Sequence, residues 1–179
     1  LTDRLFLAVG LSDLARGDVA AALDGFAIPG SLVRPAGWHL TLRFLGSSDE
    51  VTTDRVIGAV AQSPLGPPLV MTLHGLGAFP NPRRATVIWI GVTRGEERLA
   101  ELADLCEEAA QTAGFPPEDR PFHPHLTLSR VRPPENVVSL LERDPPPSVR
   151  TRVERVTLFR SRLGRGGAVY EPVEDFPLS

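Results

Sequence analysis

Apolar residues along this chain follow two rhythms, alternate positions over short runs and a three-four spacing over longer ones. Alternation marks a strand with one buried face, and the three-four spacing marks a helix with a buried stripe. Residues 4–9 form a short apolar run that predicts a buried strand. Ser12 predicts the cap of a helix reaching about Leu23 and stopped by Gly25. After loop chemistry at Ile28-Pro29-Gly30-Ser31 and Arg34-Pro35-Ala36-Gly37, residues 38–45 read as a strand that Gly46 ends. Ser47 with Glu50 predicts a capping box, opening a helix whose apolar face is Val56, Ile57 and Val60, and Pro64 to Pro68 make a short linker.

Residues 69–76 and 85–92 read as strands on either side of a turn at Phe79-Pro80-Asn81-Pro82. Thr93 with Glu96 predicts a second capping box, and the clearest helix of the chain follows it. Leu99, Leu102, Ala103, Cys106, Ala109, Ala110 and Ala113 share one face there, and Gly114 closes it. A Pro-rich loop, a strand holding His125, a short helix over 135–142, a break at Pro145-Pro146-Pro147, a strand over 153–159, a Gly-rich turn and a strand over 169–173 complete the chain.

The two halves repeat this order: strand, helix, strand, helix, strand. The phrase His-Leu-Thr-Leu stands in each, at His39-Leu40-Thr41-Leu42 and at His125-Leu126-Thr127-Leu128. Thr41 precedes Thr72 by 31 residues and Thr127 precedes Thr157 by 30, and a Leu follows each. Two copies are too few for a solenoid and predict a pseudo-twofold pair of lobes. Within each phrase, alternation buries the two Leu and displays the His with the Thr. A twofold would bring the displayed sets face to face across a cleft. Two imidazoles at one site can divide the roles of base and acid, and Thr hydroxyls can donate to an anion. A phosphodiester suits that set, a strained cyclic one best of all.

Composition narrows the chemistry. The 179 residues are 42% hydrophobic and 23% charged, enough for one substantial core. The net charge of −3 argues against a basic nucleic-acid coat, so any RNA contact should be local. All 19 basic residues are Arg. A chain without Lys uses no Walker lysine, Schiff base or lysyl-adenylate. The single Cys106 excludes an internal disulfide and a multi-cysteine zinc cluster. No apolar run approaches a membrane span, and residues 4–9 are too short and too soon followed by Asp13 for a signal peptide, so the expected location is cytoplasmic.

The two phrases with their flanks resemble a known family. The opening Arg4-Leu5-Phe6-Leu7-Ala8, the stretch His39-Leu40-Thr41-Leu42-Arg43-Phe44-Leu45-Gly46, the turn Gly77-Ala78-Phe79-Pro80 and the stretch Phe122-His123-Pro124-His125-Leu126-Thr127-Leu128-Ser129-Arg130 are similar to the RNA 2′,3′-cyclic phosphodiesterases, also called 2′-5′ RNA ligases, of the 2H phosphoesterase superfamily. The resemblance covers nearly the whole chain. It implies an α+β, bilobal fold with two antiparallel sheets lining a central cleft and helices outside, a single domain over 1–179 made of two interleaved lobes. It also implies hydrolysis of RNA 2′,3′-cyclic phosphate ends to 2′-phosphates, with no metal and no cofactor, by a monomer that needs no protein partner. His39 is assigned as the acid and His125 as the base, with Thr41, Thr127 and Arg130 on the phosphate. Without Lys, any 2′-5′ joining would run as the reverse of ring opening, an RNA 5′-hydroxyl replacing water.

Alternation and resemblance conflict at one point. Arg130 is five residues after His125, so strict alternation sends it to the opposite face unless a bulge or strand end intervenes. Arg43, four after His39, is in phase and could reach substrate more simply. His123 and His125 form a His-x-His pair, a weak metal signal without an acidic or Cys partner. His74 and Cys106 read as structural, and Trp38, Phe44, Phe79 and Phe122 read as packing with base stacking as the alternative. Arg34, Arg83, Arg84, Arg120, Arg162 and Arg165 are loop cations that could guide an RNA backbone. Two rival functions stay open: a nucleotide or cyclic-phosphate binding module without turnover, and a 2H phosphodiesterase acting on 2′-5′ oligonucleotides or ADP-ribose cyclic phosphate.

Overall fold

The computed structural model describes residues 4–164 and 167–179. In chain order its elements are β1 (Arg4–Gly10), α1 (Asp13–Ala22), β2 (Ser31–Leu32), β3 (His39–Ser47), α2 (Glu50–Gln62), β4 (Leu69–Phe79), β5 (Ala85–Arg94), α3 (Glu96–Thr112), β6 (His125–Glu135), α4 (Val138–Leu141), β7 (Ser148–Val153), β8 (Arg155–Gly164) and β9 (Gly167–Pro177). Ser12 caps α1 by accepting the Ala15 amide at 3.2 Å. The two predicted capping boxes do not form. Ser47 stays in β3, and Asp49 caps α2 by accepting the Thr52 amide at 2.7 Å. Thr93 stays in β5, and α3 starts from Gly95 at φ 85°. A Cβ on Gly95 would lie 2.8 Å from the Val70 carbonyl oxygen, so the close pass of β4 excludes a capping side chain there.

The strands form one antiparallel sheet in the order β7-β4-β5-β6-β3-β1-β8-β9, with β2 added along β6. This corrects the expectation of two sheets: β3 and β6 meet through the pair Leu40 and Leu126, and that seam joins what would otherwise be separate sheets. Outward from the seam the order is β6, β5, β4, β7 on one side and β3, β1, β8, β9 on the other. Thr72 and Thr157, matched by offset along the chain, lie on β4 and β8, which hold equivalent places in the sheet. β7 and the short β2 were not anticipated: β7 follows directly on Pro145-Pro146-Pro147, which read as a break, and β2 is only two residues within a loop stretch. The predicted Gly-rich turn falls on residues that include Arg165 and Gly166, which lie outside those described.

The helices cover the Leu face of the sheet. Leu5, Leu7, Val9, Leu40, Leu42, Leu126 and Leu128 join Val56, Val60 and the buried stripe of α3 in one core. Each fully buried aliphatic side chain contributes roughly 1.5–3 kcal/mol, so the His-Leu-Thr-Leu strands are held in place by their own Leu residues. Ala78, Ala85, Ile88, Val131 and Val137 form a smaller cluster near α4. Among the described residues no helix is long and apolar enough to cross a membrane.

Candidate functional site

The seam register that opposes Leu40 to Leu126 brings His39 beside Thr127 and Thr41 beside His125 when carried one residue either way. The two His therefore occupy one diagonal of a four-residue patch and the two Thr the other. Strand spacing and rise put the His backbones roughly 8 Å apart. The strands lie side by side and do not face each other across a gap. The cross-strand neighbour of each His on its outer side is a glycine, Gly10 for His39 and Gly91 for His125, which keeps a side chain from crowding the ring.

A bulge in each motif strand decides which later residues share this face. In β3, Thr41 pairs with Ala8 and Arg43 with Leu7, so Leu42 is the extra residue. In β6, Thr127 pairs with Trp89 and Ser129 with Ile88, so Leu128 is the extra residue. Each bulge reverses the alternation. Arg130, five after His125, thereby returns to the His face, and so does Phe44, five after His39. Arg43 and Ser129 go to the core face instead. This corrects the expectation for Arg43: it is 8% exposed and binds Glu107 of α3, the Phe44 carbonyl and the Pro116 carbonyl. Arg43 ties β3 to α3 and takes no part in the site. Burial works against the charge of Glu107, but hydrogen bonds from the Glu118 amide, Gln111 and Arg43 hold its carboxyl below the usual glutamate range.

Both candidate imidazoles are oriented alike. His39 donates Nδ1–H to the Gly37 carbonyl at 2.8 Å, and His125 donates Nδ1–H to the His123 carbonyl at 2.7 Å. A carbonyl only accepts, so Nδ1 carries the proton and Nε2 is left as the free basic atom in each neutral ring. Burial lowers the pKa of His39 from 6.5; the Gly37 carbonyl raises it, and His125 and Arg130 lower it further. Burial likewise lowers that of His125, opposed by the His123 carbonyl and aided by His123 and Arg130. The influence of His125 on His39, and of Arg130 on both, marks the three as one electrostatic cluster.

Aromatic rings position each imidazole. His39 lies 4.8 Å from Phe6 and 4.9 Å from Tyr170 by ring centroid, the latter edge-on. His125 lies 5.0 Å from Phe79 and 6.0 Å from both Trp89 and His123. Phe6, Trp89 and Tyr170 were missed because they arrive from β1, β5 and β9, remote in sequence from both motifs. The β1 pattern held a signal, since Phe6, Ala8 and Gly10 alternate onto one face. Trp38 is 6% exposed and packs in the core, whereas Phe44 is 54% exposed. Burial pushes the Cys106 thiol up to about 12, so it is inert in the core. His74 is exposed on β4. Arg34, Arg83 and Arg84 are exposed, Arg120 is paired with Glu118 at 3.0 Å and Arg162 with Glu171 at 3.6 Å. No group of three or more His, Cys, Asp or Glu side chains among the described residues could hold a metal ion.

A curled antiparallel sheet bearing two such strands defines a class of phosphoesterase, and the chain belongs to the 2′-5′ RNA ligase superfamily, whose family model matches residues 30–165. It is 33% identical to the RNA 2′,3′-cyclic phosphodiesterase of Methanothermobacter thermautotrophicus, covering 98% of each chain, and 33% identical to that of Aeropyrum pernix, covering 87% of this chain and 92% of the relative. Among solved structures, Escherichia coli LigT with 3′-AMP superposes with a TM-score of 0.83 at 28% identity, covering 100% of this chain and 99% of LigT. TT0787 of Thermus thermophilus gives 0.79 at 30% identity, covering 98% and 97%.

Proposed function

We propose that this chain is an RNA 2′,3′-cyclic phosphodiesterase in which His39 and His125 carry the two proton transfers without a metal ion. The observation behind this reading is the matched pair of imidazoles, each with Nδ1–H on a backbone carbonyl and Nε2 left for the reaction, one strand apart on one face. The names of the relatives support the substrate.

A cyclic phosphate above the Leu40–Leu126 seam would accept hydrogen bonds from the Thr41 and Thr127 hydroxyls. Arg130 would meet the charge on its non-bridging oxygens. His125 removes a proton from water as the water oxygen bonds to phosphorus. The P–O3′ bond breaks, His39 gives its proton to O3′, and a 2′-phosphate end remains. The apolar setting of His39 among Phe6, Phe159 and Tyr170 disfavours its charged form and makes its imidazolium a stronger acid than an ordinary histidine's, which suits proton donation to the leaving oxygen. The same geometry accepts an RNA 5′-hydroxyl in place of water and would then form a 2′-5′ linkage, although bulk water favours hydrolysis. Both histidines come from one chain, so a monomer suffices.

The test is hydrolysis of adenosine 2′,3′-cyclic phosphate and a short cyclic-phosphate RNA in EDTA, with 2′- and 3′-phosphate products separated. Turnover to the 2′-phosphate persists in EDTA, and His39→Ala and His125→Ala each lower kcat/KM about 10²–10⁴-fold. Loss of activity in EDTA, or full activity in both variants, would overturn the reading.

A further inference from the structure

The row of cross-strand partners that starts at His125 runs outward through Gly91 of β5 and His74 of β4 to Ser148 of β7. Gly91 places no side chain on the sheet, and His74 and Ser148 are exposed, so the His face stays open along this row. In the next row along β4, Thr72 is paired with Arg94 on one side and with Arg150 on the other. Thr93 is the extra residue of a bulge in β5, which is what sets Arg94 opposite Thr72. Met71, Leu73 and Val149, the chain neighbours of Thr72 and Arg150, are in the core, so Thr72, Arg150 and the paired Arg94 belong to the His face. Both arginines are exposed, and among the described residues neither has an acidic partner, whereas Arg152 on the same edge strand is held by Glu154 at 3.1 Å. Two guanidinium groups thus flank one hydroxyl with no acid between them, a row that an anion would neutralise. The other side of the seam is built the opposite way. Thr157 of β8 lies between Ala8 of β1 and Asp175 of β9, is 5% exposed and donates its hydroxyl to Asp175 at 2.6 Å. Strand spacing and rise put Thr72 on the order of 12 Å from His125, beyond the cyclic phosphate itself and within reach of an attached or incoming RNA strand.

We propose that Arg94, Thr72 and Arg150 form a second anion subsite, which binds a backbone phosphate of RNA. The proposal rests on the phosphodiesterase reading and extends the substrate from a cyclic-phosphate end to a strand. The phosphate belongs either to the strand that carries the cyclic end or to a second strand whose 5′-hydroxyl takes the place of water at His125; the chemistry of the subsite is the same for both.

The test is calorimetry with three probes: adenosine 2′-phosphate, an RNA triadenylate ending in a 2′-phosphate, and a triadenylate with hydroxyl ends titrated into protein saturated with adenosine 2′-phosphate. If the subsite serves the same strand, the 2′-phosphate triadenylate binds more tightly than adenosine 2′-phosphate; if it serves an incoming strand, only the hydroxyl-ended triadenylate shows the added binding. In either case the double variant Arg94→Gln/Arg150→Gln weakens that triadenylate roughly tenfold relative to adenosine 2′-phosphate. The logarithmic salt dependence becomes shallower by about 0.7 per arginine removed, and Arg94→Lys/Arg150→Lys keeps the wild-type slope. Triadenylates that bind the double variant as they bind wild type, or a loss of the same size on adenosine 2′-phosphate, would overturn the proposal. Wild-type turnover of adenosine 2′,3′-cyclic phosphate is read separately: turnover without arginine-dependent triadenylate binding rejects the subsite alone, and arginine-dependent binding without turnover rejects the phosphodiesterase reading alone.

Discussion

Arg43 and Arg130 are both arginines of a motif strand, yet opposite outcomes are expected when each is removed. Arg43 is buried against Glu107 and two carbonyls, so Arg43→Ala leaves a carboxylate and two carbonyls short of a partner. Breaking a buried pair this way costs about 3 kcal/mol, measured by urea unfolding, while the folded fraction keeps its kcat. Arg130 is exposed, so Arg130→Gln should change stability by less than about 0.5 kcal/mol. Its effect should appear in turnover and in pH dependence. The pKa values of His39 and His125 are both lowered from 6.5, by burial first and by Arg130 among the lesser causes. One ring must be protonated and the other neutral, so kcat/KM follows a bell whose limbs lie below the ordinary histidine value and falls as pH rises past it. Removing the Arg130 cation raises both pKa values, and the whole bell should move to higher pH. An unmoved profile, or imidazole NMR titrations that do not shift, would show that Arg130 stands too far from both rings to matter.

At the scale of elements, the decisive features are the bulges at Leu42 and Leu128. Alternation in the sequence made the His and Thr faces legible, because Leu40, Leu42, Leu126 and Leu128 name the buried side. It then misplaced Arg43 and left Arg130 in tension, since an extra residue in a strand leaves no mark on a hydrophobic pattern when two core-facing residues are adjacent. The aromatic walls were illegible for a different reason: they depend on which strands become neighbours. Gly77 shows how closely those walls are set. A Cβ there would lie 2.2 Å from Cη2 of Trp89, so Gly77→Ala must move the indole that borders His123 and His125. The expected outcome is a loss of about 1–3 kcal/mol in stability with a change in Trp fluorescence. kcat/KM should fall even at temperatures where the variant is fully folded. Wild-type stability and emission would mean that the β4–β5 approach is slack.

Across the whole molecule, the sheet order makes each side of the seam depend on both halves of the chain. β4, from the first half, pairs with β5 and β7 of the second, and β8, from the second half, pairs with β1 of the first. Neither half can complete its strand pairings without the other, although the repeat in sequence invites the idea of two units. Trp38, beside the first motif, and Trp89, beside the second, report on the two sides. Variants retaining one Trp each, Trp38→Phe and Trp89→Phe, should therefore each show fluorescence and far-ultraviolet circular dichroism transitions that coincide in urea. Leu40→Ala should lower the common midpoint of both, because Leu40 is fully buried at the seam and its truncation costs about 2–5 kcal/mol. Separate transitions for the two tryptophans would mean that the seam, held by the Leu40–Leu126 pair, joins two independently stable bodies, and a site built across it could then open without global unfolding.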